Sequence, residues 1–69
     1  MSSVTRADLL EREIIKLMND EIDRLSFELS LGNVENFEAY ARCAGKIAGL
    51  RQSLVIVEEA ISEVNKRYS

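Results

Sequence analysis

The sequence predicts an all-α fold, an antiparallel two-helix hairpin of the coiled-coil type that assembles with other copies into a helical bundle. Two long stretches repeat apolar residues at alternating intervals of three and four, which is typical of helices that bury a narrow stripe against another helix. Only one convincing break, around Gly32, separates the stretches, and no Pro occurs in the 69 residues. Residues 1–69 are therefore expected to form a single helical-hairpin domain.

The first helix is predicted over residues 6–30. Thr5 can cap the free N–H groups of the first turn, and Asp8 stands at the third helical position, where its carboxylate can return a hydrogen bond. The apolar stripe consists of Leu10, Ile14, Leu17, Met18, Ile22, Leu25 and Leu29, and it is widened at its sides by Leu9, Ile15 and Phe27.

A turn is predicted at residues 31–34. Gly32 suits the position just after a helix, where a left-handed backbone closes the last turn at no steric cost. Asn33 or Asn36 can then cap the second helix. A connection this short forces the two helices to lie antiparallel.

The second helix is predicted over residues 35–67, which makes it longer than the first. If the chain folds back at residues 32–33, Leu25 lies opposite Tyr40 and Met18 lies opposite Ile47. Ile61 then lies beyond the end of helix one. The heptad seam of this helix is Cys43, Ile47, Leu50, Leu54, Val57, Ile61, Val64 and Tyr68.

The far part of the second helix carries more apolar surface than a two-helix hairpin can cover. A chain of this length buries a small fraction of its surface, and small domains usually add disulfides, a metal or a partner subunit. With one Cys and no His, a partner is the expected solution. The predicted partner interface is Val55, Ile56, Ala60, Ile61, Val64 and Tyr68.

A second patch consists of small residues on the same helix, and close helix packing is predicted there. Each Gly inside a helix costs about 1 kcal/mol relative to Ala, so two of them need a reason. Either Met18 and Ile22 of the first helix pack tightly over the patch, or the patch is a notch for a partner. Its members are Ala41, Ala44, Gly45, Ala48 and Gly49.

The residue types predict no catalytic site, no metal and no cofactor. The chain has no His, so zinc and the di-metal sites of helical bundles lack their usual ligands. Cys43 falls in the heptad seam, and no imidazole is present to activate it as a nucleophile. The carboxylates, such as Glu58 and Glu59, are expected to form a solvated acidic face.

The charge argues against nucleic acid as the main partner and the hydropathy against a membrane. The formal net charge is −3, whereas phosphate binding needs clustered Lys and Arg. A weak basic stripe of Arg42, Lys46 and Arg51 keeps open the alternative of an RNA-binding hairpin dimer. No transmembrane segment or secretory signal is predicted, which favours a cytoplasmic location, in the host cell if the protein is viral.

The stretch Tyr40–Arg51 resembles a pattern found in short proteins of tailed bacteriophages. It places a Tyr ahead of G-x-I-x-G-L-R, which here runs from Gly45 to Arg51. The resemblance implies a two-helix hairpin encoded among head and tail assembly genes, hence a virion component or an assembly factor, with no catalytic residues to carry over.

These observations predict a non-enzymatic protein–protein interaction module, a small phage structural or assembly protein that acts through helical packing. Its partners are expected to be further copies of itself, a larger protein assembly, or both. The alternatives are a small inhibitor or adaptor of a host protein and the RNA-binding dimer.

Overall fold

The computed structural model describes residues 5–32 and 36–68, which form two helices, α1 (Arg6–Ser30) and α2 (Phe37–Tyr68). The helices lie side by side and antiparallel, so the pair is long and thin, with extents of 51 × 20 × 13 Å. No strand occurs in the described residues. The predicted all-α helical hairpin is confirmed.

The start of α1 is fixed by a reciprocal pair of hydrogen bonds between Thr5 and Asp8. The backbone N–H of Asp8 donates to Thr5 Oγ1 at 3.1 Å, and the backbone N–H of Thr5 donates to Asp8 Oδ2 at 3.2 Å. Two N–H groups that the helix leaves without partners are thereby satisfied. Hydrogen bonds from the Thr5 side chain and backbone hold the pKa of Asp8 below its ordinary value.

The turn combines a glycine cap on α1 with an asparagine cap on α2. Gly32 has a φ of +68°, and its N–H donates to the carbonyl of Leu29 at 3.2 Å. Asn36 Oδ1 accepts from the N–H of Ala39 at 2.8 Å, so Asn36 caps α2 and the helix begins at Phe37. Residues 33–35, which include the other predicted cap, lie outside the described residues.

The core of the hairpin is small. Ile22, Leu25 and Ile47 are buried, with 5–7% of their surface exposed, and no side chain in the described residues is fully enclosed. Half-buried apolar residues extend the core along the seam; they are Leu29, Cys43, Leu50 and Leu54. A single layer between two helices buries each side chain on one side only.

The two helices meet in a different register from the predicted one. Leu25 lies against Cys43, whose thiol donates to the Leu25 carbonyl with 3.8 Å between sulfur and oxygen. Tyr40, the predicted neighbour of Leu25, is half exposed. The difference arises because the connection extends to Asn36 rather than to residue 34, which moves every facing position about one turn further along α2.

The apolar stripe of α1 divides into two edges. The edge that faces α2 contains Ile22 and Leu25, together with the half-buried Ile15, Met18 and Leu29. The other edge stays exposed and contains Leu10, Ile14 and Leu17. One residue turns a helix by about 100°, so positions 10, 14 and 17 lie beside the seam rather than in it.

Candidate interaction surface

The hairpin exposes far more large apolar side chains than it buries. Among residues 5–32 and 36–68, twelve have at least 37% of their surface exposed, against three that are buried. Single exposed apolar residues are ordinary on protein surfaces, whereas contiguous ones mark interaction sites. The twelve are Leu9, Leu10, Ile14, Leu17, Phe27, Leu31, Phe37, Tyr40, Val55, Ile56, Val64 and Tyr68.

Part of this exposed surface is continuous across both helices. In a pair of antiparallel helices, a residue that comes one position before a seam residue points to one side of the pair. That side is the same for both helices. Glu21 and Lys46 mark that side, because the Lys46 charge acts on the Glu21 carboxylate across the helices. We define this lateral face by the following residues of α1 and α2, with Val64 added at the end of α2: Leu10, Ile14, Leu17, Glu21, Arg24 and Glu28 of α1, and Arg42, Lys46, Gly49, Ser53, Ile56, Ala60 and Val64 of α2.

The lateral face has an apolar half and a charged half. The charged half contains Glu21, Arg24 and Glu28 with Arg42 and Lys46, and the apolar half contains the other residues of the face. The apolar half lies at the open end of the hairpin, where α1 begins and α2 ends. In the charged half, the Arg24 guanidinium bridges two carboxylates, with Nη2 at 2.6 Å from Glu21 Oε2 and Nη1 at 2.7 Å from Glu28 Oε1. Arg42 and Lys46 stand on the neighbouring helix. The α1 edge, with two carboxylates and one guanidinium, is therefore negative in net charge, and the α2 edge is basic.

The ionisation of the charged half follows from these contacts. The hydrogen bonds from Arg24 hold the pKa of Glu21 below its ordinary value, and the charges of Arg24 and Lys46 act in the same direction. The pKa of Arg24 is raised, chiefly by its hydrogen bonds to Glu21. The contact between Arg24 and Glu21 therefore favours the charged form of both groups.

The opposite side of the hairpin is more polar and has two open clefts. One is lined by Ile15 and Ile61 together with Glu58, Ser62, Asn65 and Lys66. The other, nearer the turn, is lined by Ser26, Leu29, Ala44, Ile47, Ala48 and Arg51. Each mixes apolar walls with polar rims and lies open to solvent.

The residues of the predicted partner interface do not share one face. Ile56, Ala60 and Val64 belong to the lateral face, whereas Val55 is exposed on the outer side of α2. Tyr68 is exposed near the end of α2. The position predicted for Ile61 beyond helix one is wrong, because Ile61 is half-buried and lines a cleft with Ile15. The shifted register brings it back alongside α1.

The small-residue patch is not a place of close helix packing inside the hairpin. A Cβ atom built on Gly45 or Gly49 would have no atom within 4 Å, and Ala41 and Ala48 are also exposed. Only Ala44 is half-buried. Gly45 lies two residues from both Cys43 and Ile47, a rotation of about 200° that places it on the outer side of α2. The alternative, a notch for a partner, stays a prediction.

In the described residues, the remaining polar side chains form neither a metal site nor a continuous basic stripe that could bind phosphate groups. In the described part of the chain, no group of three or more Cys, Asp or Glu side chains could hold a metal ion. Arg42 and Lys46 lie on the lateral face, but Arg51 lines the cleft on the other side. Neither described helix is long and apolar enough to cross a membrane.

Comparison with protein-family models, with curated proteins and with solved structures finds no match for this chain. The candidate site is accordingly defined by the geometry of the hairpin, and the lateral face is its most continuous surface.

Proposed function

We propose that this chain is a non-enzymatic protein–protein interaction module that acts by packing exposed helical surface against another helical surface. The observation that carries the proposal is the imbalance, in the described part of the chain, between three buried and twelve exposed large apolar side chains. Helices in proteins obtain most of their stability from packing an apolar face. A hairpin with so small a core therefore gains stability mainly from what it binds.

The kind of partner follows from the shape of the surface. The exposed apolar residues lie in rows along two helices, and the two clefts described above are open to solvent. Rows at intervals of three and four match the grooves of other helices, as in bundles and helix-in-groove complexes. The proposed partner is therefore another helical surface.

The resemblance of Tyr40–Arg51 to short bacteriophage proteins supports a more specific role in head or tail assembly. Under that proposal the module is a virion component or a factor that holds particle subunits during assembly. A tagged copy should then be recovered with purified particles, or with unassembled head or tail subunits. Recovery with neither would contradict the assembly role and leave the interaction module as proposed.

The proposal is tested by measuring the absolute mass of the purified chain by light scattering over a concentration series, with helicity measured by circular dichroism on the same samples. We expect either a helical oligomer or a poorly helical monomer, because the isolated hairpin lacks core. A highly helical monomer with a cooperative melting transition that does not depend on concentration would overturn the proposal.

A further inference from the structure

We propose that the lateral face is covered by a second copy of this chain, so that two hairpins form a four-helix bundle around a two-fold axis parallel to the helices. This inference rests on the proposed function and identifies its partner. The face pairs apolar with apolar and acidic with basic groups only when it meets itself in this orientation.

The geometry of such an axis fixes which residues meet. Rotation about an axis parallel to the helices leaves every residue at its height along the bundle. It places α1 of one copy beside α2 of the second copy, antiparallel, at the heights that already pair α1 with its own α2. Within one hairpin Leu25 meets Cys43 and Glu21 lies near Lys46. The same levels therefore face each other between the copies.

The apolar halves of the two faces coincide in this arrangement. In the register of the Leu25–Cys43 contact, Leu10 of one copy lies at the level of Ile56 and Ala60 of the second copy. Ile14 lies at the level of Ser53, and Leu17 lies between the levels of Ser53 and Gly49, two small residues that leave room for its side chain. Leu10 and Leu17 are more than half exposed in the single hairpin, so they have much surface to bury. Antiparallel packing of neighbouring helices around a central core is the usual geometry of four-helix bundles.

The charged halves coincide as well, and with opposite signs. Glu28 of one copy lies at the level of Arg42 of the second copy, and Glu21 lies at the level of Lys46. A two-fold axis perpendicular to the helices through the middle of the face would instead set Leu10 and Leu17 against the charged half. Complementary charge at the rim selects one orientation over another, so it favours the parallel axis.

The area of the lateral face reaches the lower end of the range that specific dimer interfaces bury. Residues 10–28 of α1 span about 27 Å along the helix, and the hairpin is 20 Å wide. The two copies together would bury on the order of 1,000 Å², where specific interfaces begin. The opposite side of α1 offers no comparable stripe, because there the positions beside the seam are Asp8, Arg12, Asn19 and Asp23.

The test uses two full-length variants with reversed charges. The first, Glu21→Lys with Glu28→Lys, makes both edges of the charged half basic, and the second, Arg42→Glu with Lys46→Glu, makes both edges acidic. The matched control is Glu59→Lys with Glu63→Lys, which changes the net charge as much as the first variant on exposed positions away from α1. Sedimentation equilibrium and helicity are measured for each protein alone and for the two variants mixed.

We expect the parent and the control to dimerise alike, each reversed variant to dimerise at least tenfold more weakly, and the equimolar mixture to form a heterodimer. If the variants lose helicity alone, the mixture should recover it. Parent-like dimerisation of either variant, or a mixture that does not assemble, overturns the inference.

The outcomes also separate this inference from the proposed function. A parent oligomer that is indifferent to the reversed charges refutes the lateral face and leaves the interaction module standing. A poorly helical parent monomer shows that a second copy does not cover the lateral face, and the proposal of an interaction module is again unaffected. A stable helical parent monomer refutes both.

Discussion

The Cys43 thiol donates to the backbone carbonyl of Leu25 across the hairpin, with 3.8 Å between Sγ and O. This contact ties the two helices at the centre of the small core, beside the buried Ile22 and Ile47. A small side chain at position 43 lets the backbones approach closely enough for a thiol to reach a carbonyl. The register set there determines which residues of α1 and α2 share each level of the lateral face.

Replacing Ile47 by Ala should destabilise the protein strongly, because Ile47 is one of the three side chains that are buried within the described helices. Truncation of a buried Ile costs about 2–5 kcal/mol, and the thin core favours the lower end of that range. The measurement is urea unfolding followed by circular dichroism at fixed protein concentration. Val55→Ala is the control, since Val55 is 54% exposed on the outer side of α2 and its loss should change the free energy of unfolding by less than about 0.5 kcal/mol. Equal effects of the two substitutions would contradict the assignment of the core.

Gly32→Ala should destabilise the hairpin at the turn. Gly32 has a φ of +68°, and a side chain in that left-handed conformation costs about 1–2 kcal/mol. Gly32→Asn should cost less, because Asn tolerates this conformation better than Ala does. Thermal melts of the three proteins at one concentration measure the order. If Ala and Gly melt alike, the turn does not need the left-handed backbone.

The sequence predicts the elements of this fold well, because their determinants are local. The Thr5–Asp8 capping pair, the uninterrupted apolar periodicity and Gly32 are each readable within a few residues. They place α1 at Arg6–Ser30, in agreement with the structure. Helix caps and backbone conformations depend on neighbours in the chain, so a pattern of residue types is sufficient to predict them.

Register and facing residues could not be predicted in the same way. The start of α2 depended on the choice between Asn33 and Asn36 as its cap, and a difference of a few residues changes the partner of Leu25 from Tyr40 to Cys43. The apolar residues of α1 also fill two adjacent edges, and periodicity alone does not show which edge faces α2. Periodicity therefore predicts Leu10, Ile14 and Leu17 in the buried stripe, whereas the structure leaves them exposed.

Gly45→Ala should stabilise the hairpin. An interior Gly costs a helix about 1 kcal/mol relative to Ala, and a Cβ atom at position 45 meets nothing within 4 Å. Because Gly45 lies on the outer side of α2, urea unfolding should show the gain without a change in oligomeric mass. A loss of stability or of assembly would instead show that another chain approaches Gly45 closely, as the partner notch predicts.

The capping pair of α1 should give the protein a specific loss of stability in acid. The pKa of Asp8 is lowered from its ordinary value of 3.8 by hydrogen bonds from Thr5, so the folded state favours the ionised carboxylate. This contribution is fully present above the ordinary pKa and disappears as the pH falls through the lowered one. Asp8→Asn should therefore be less stable than the parent near pH 6, and the difference should shrink below pH 3.8.

The measurement is the melting temperature of both proteins as a function of pH. Thr5→Ala provides the control, because it removes the cap itself and should cost about 1 kcal/mol even when Asp8 is ionised. Glu21, whose pKa is also lowered, titrates alike in the parent and in Asp8→Asn, so it cancels from the comparison. A difference that does not change with pH would show that the Asp8 charge contributes nothing to the cap.

Single aspartates at Val55, Ile61 and Val64 should separate folding from assembly. Ile61 is half-buried and lines a cleft with Ile15, so Ile61→Asp should lower the helicity of the hairpin itself, because an uncompensated charge is unfavourable there. Val64 lies in the apolar half of the lateral face, so Val64→Asp should weaken the dimer while the chain remains helical at high concentration. Val55 is exposed on the outer side of α2, so Val55→Asp should change neither property. Sedimentation and circular dichroism on the same samples distinguish the three, and weakening of the dimer by Val55→Asp would place the interface on the outer side of α2.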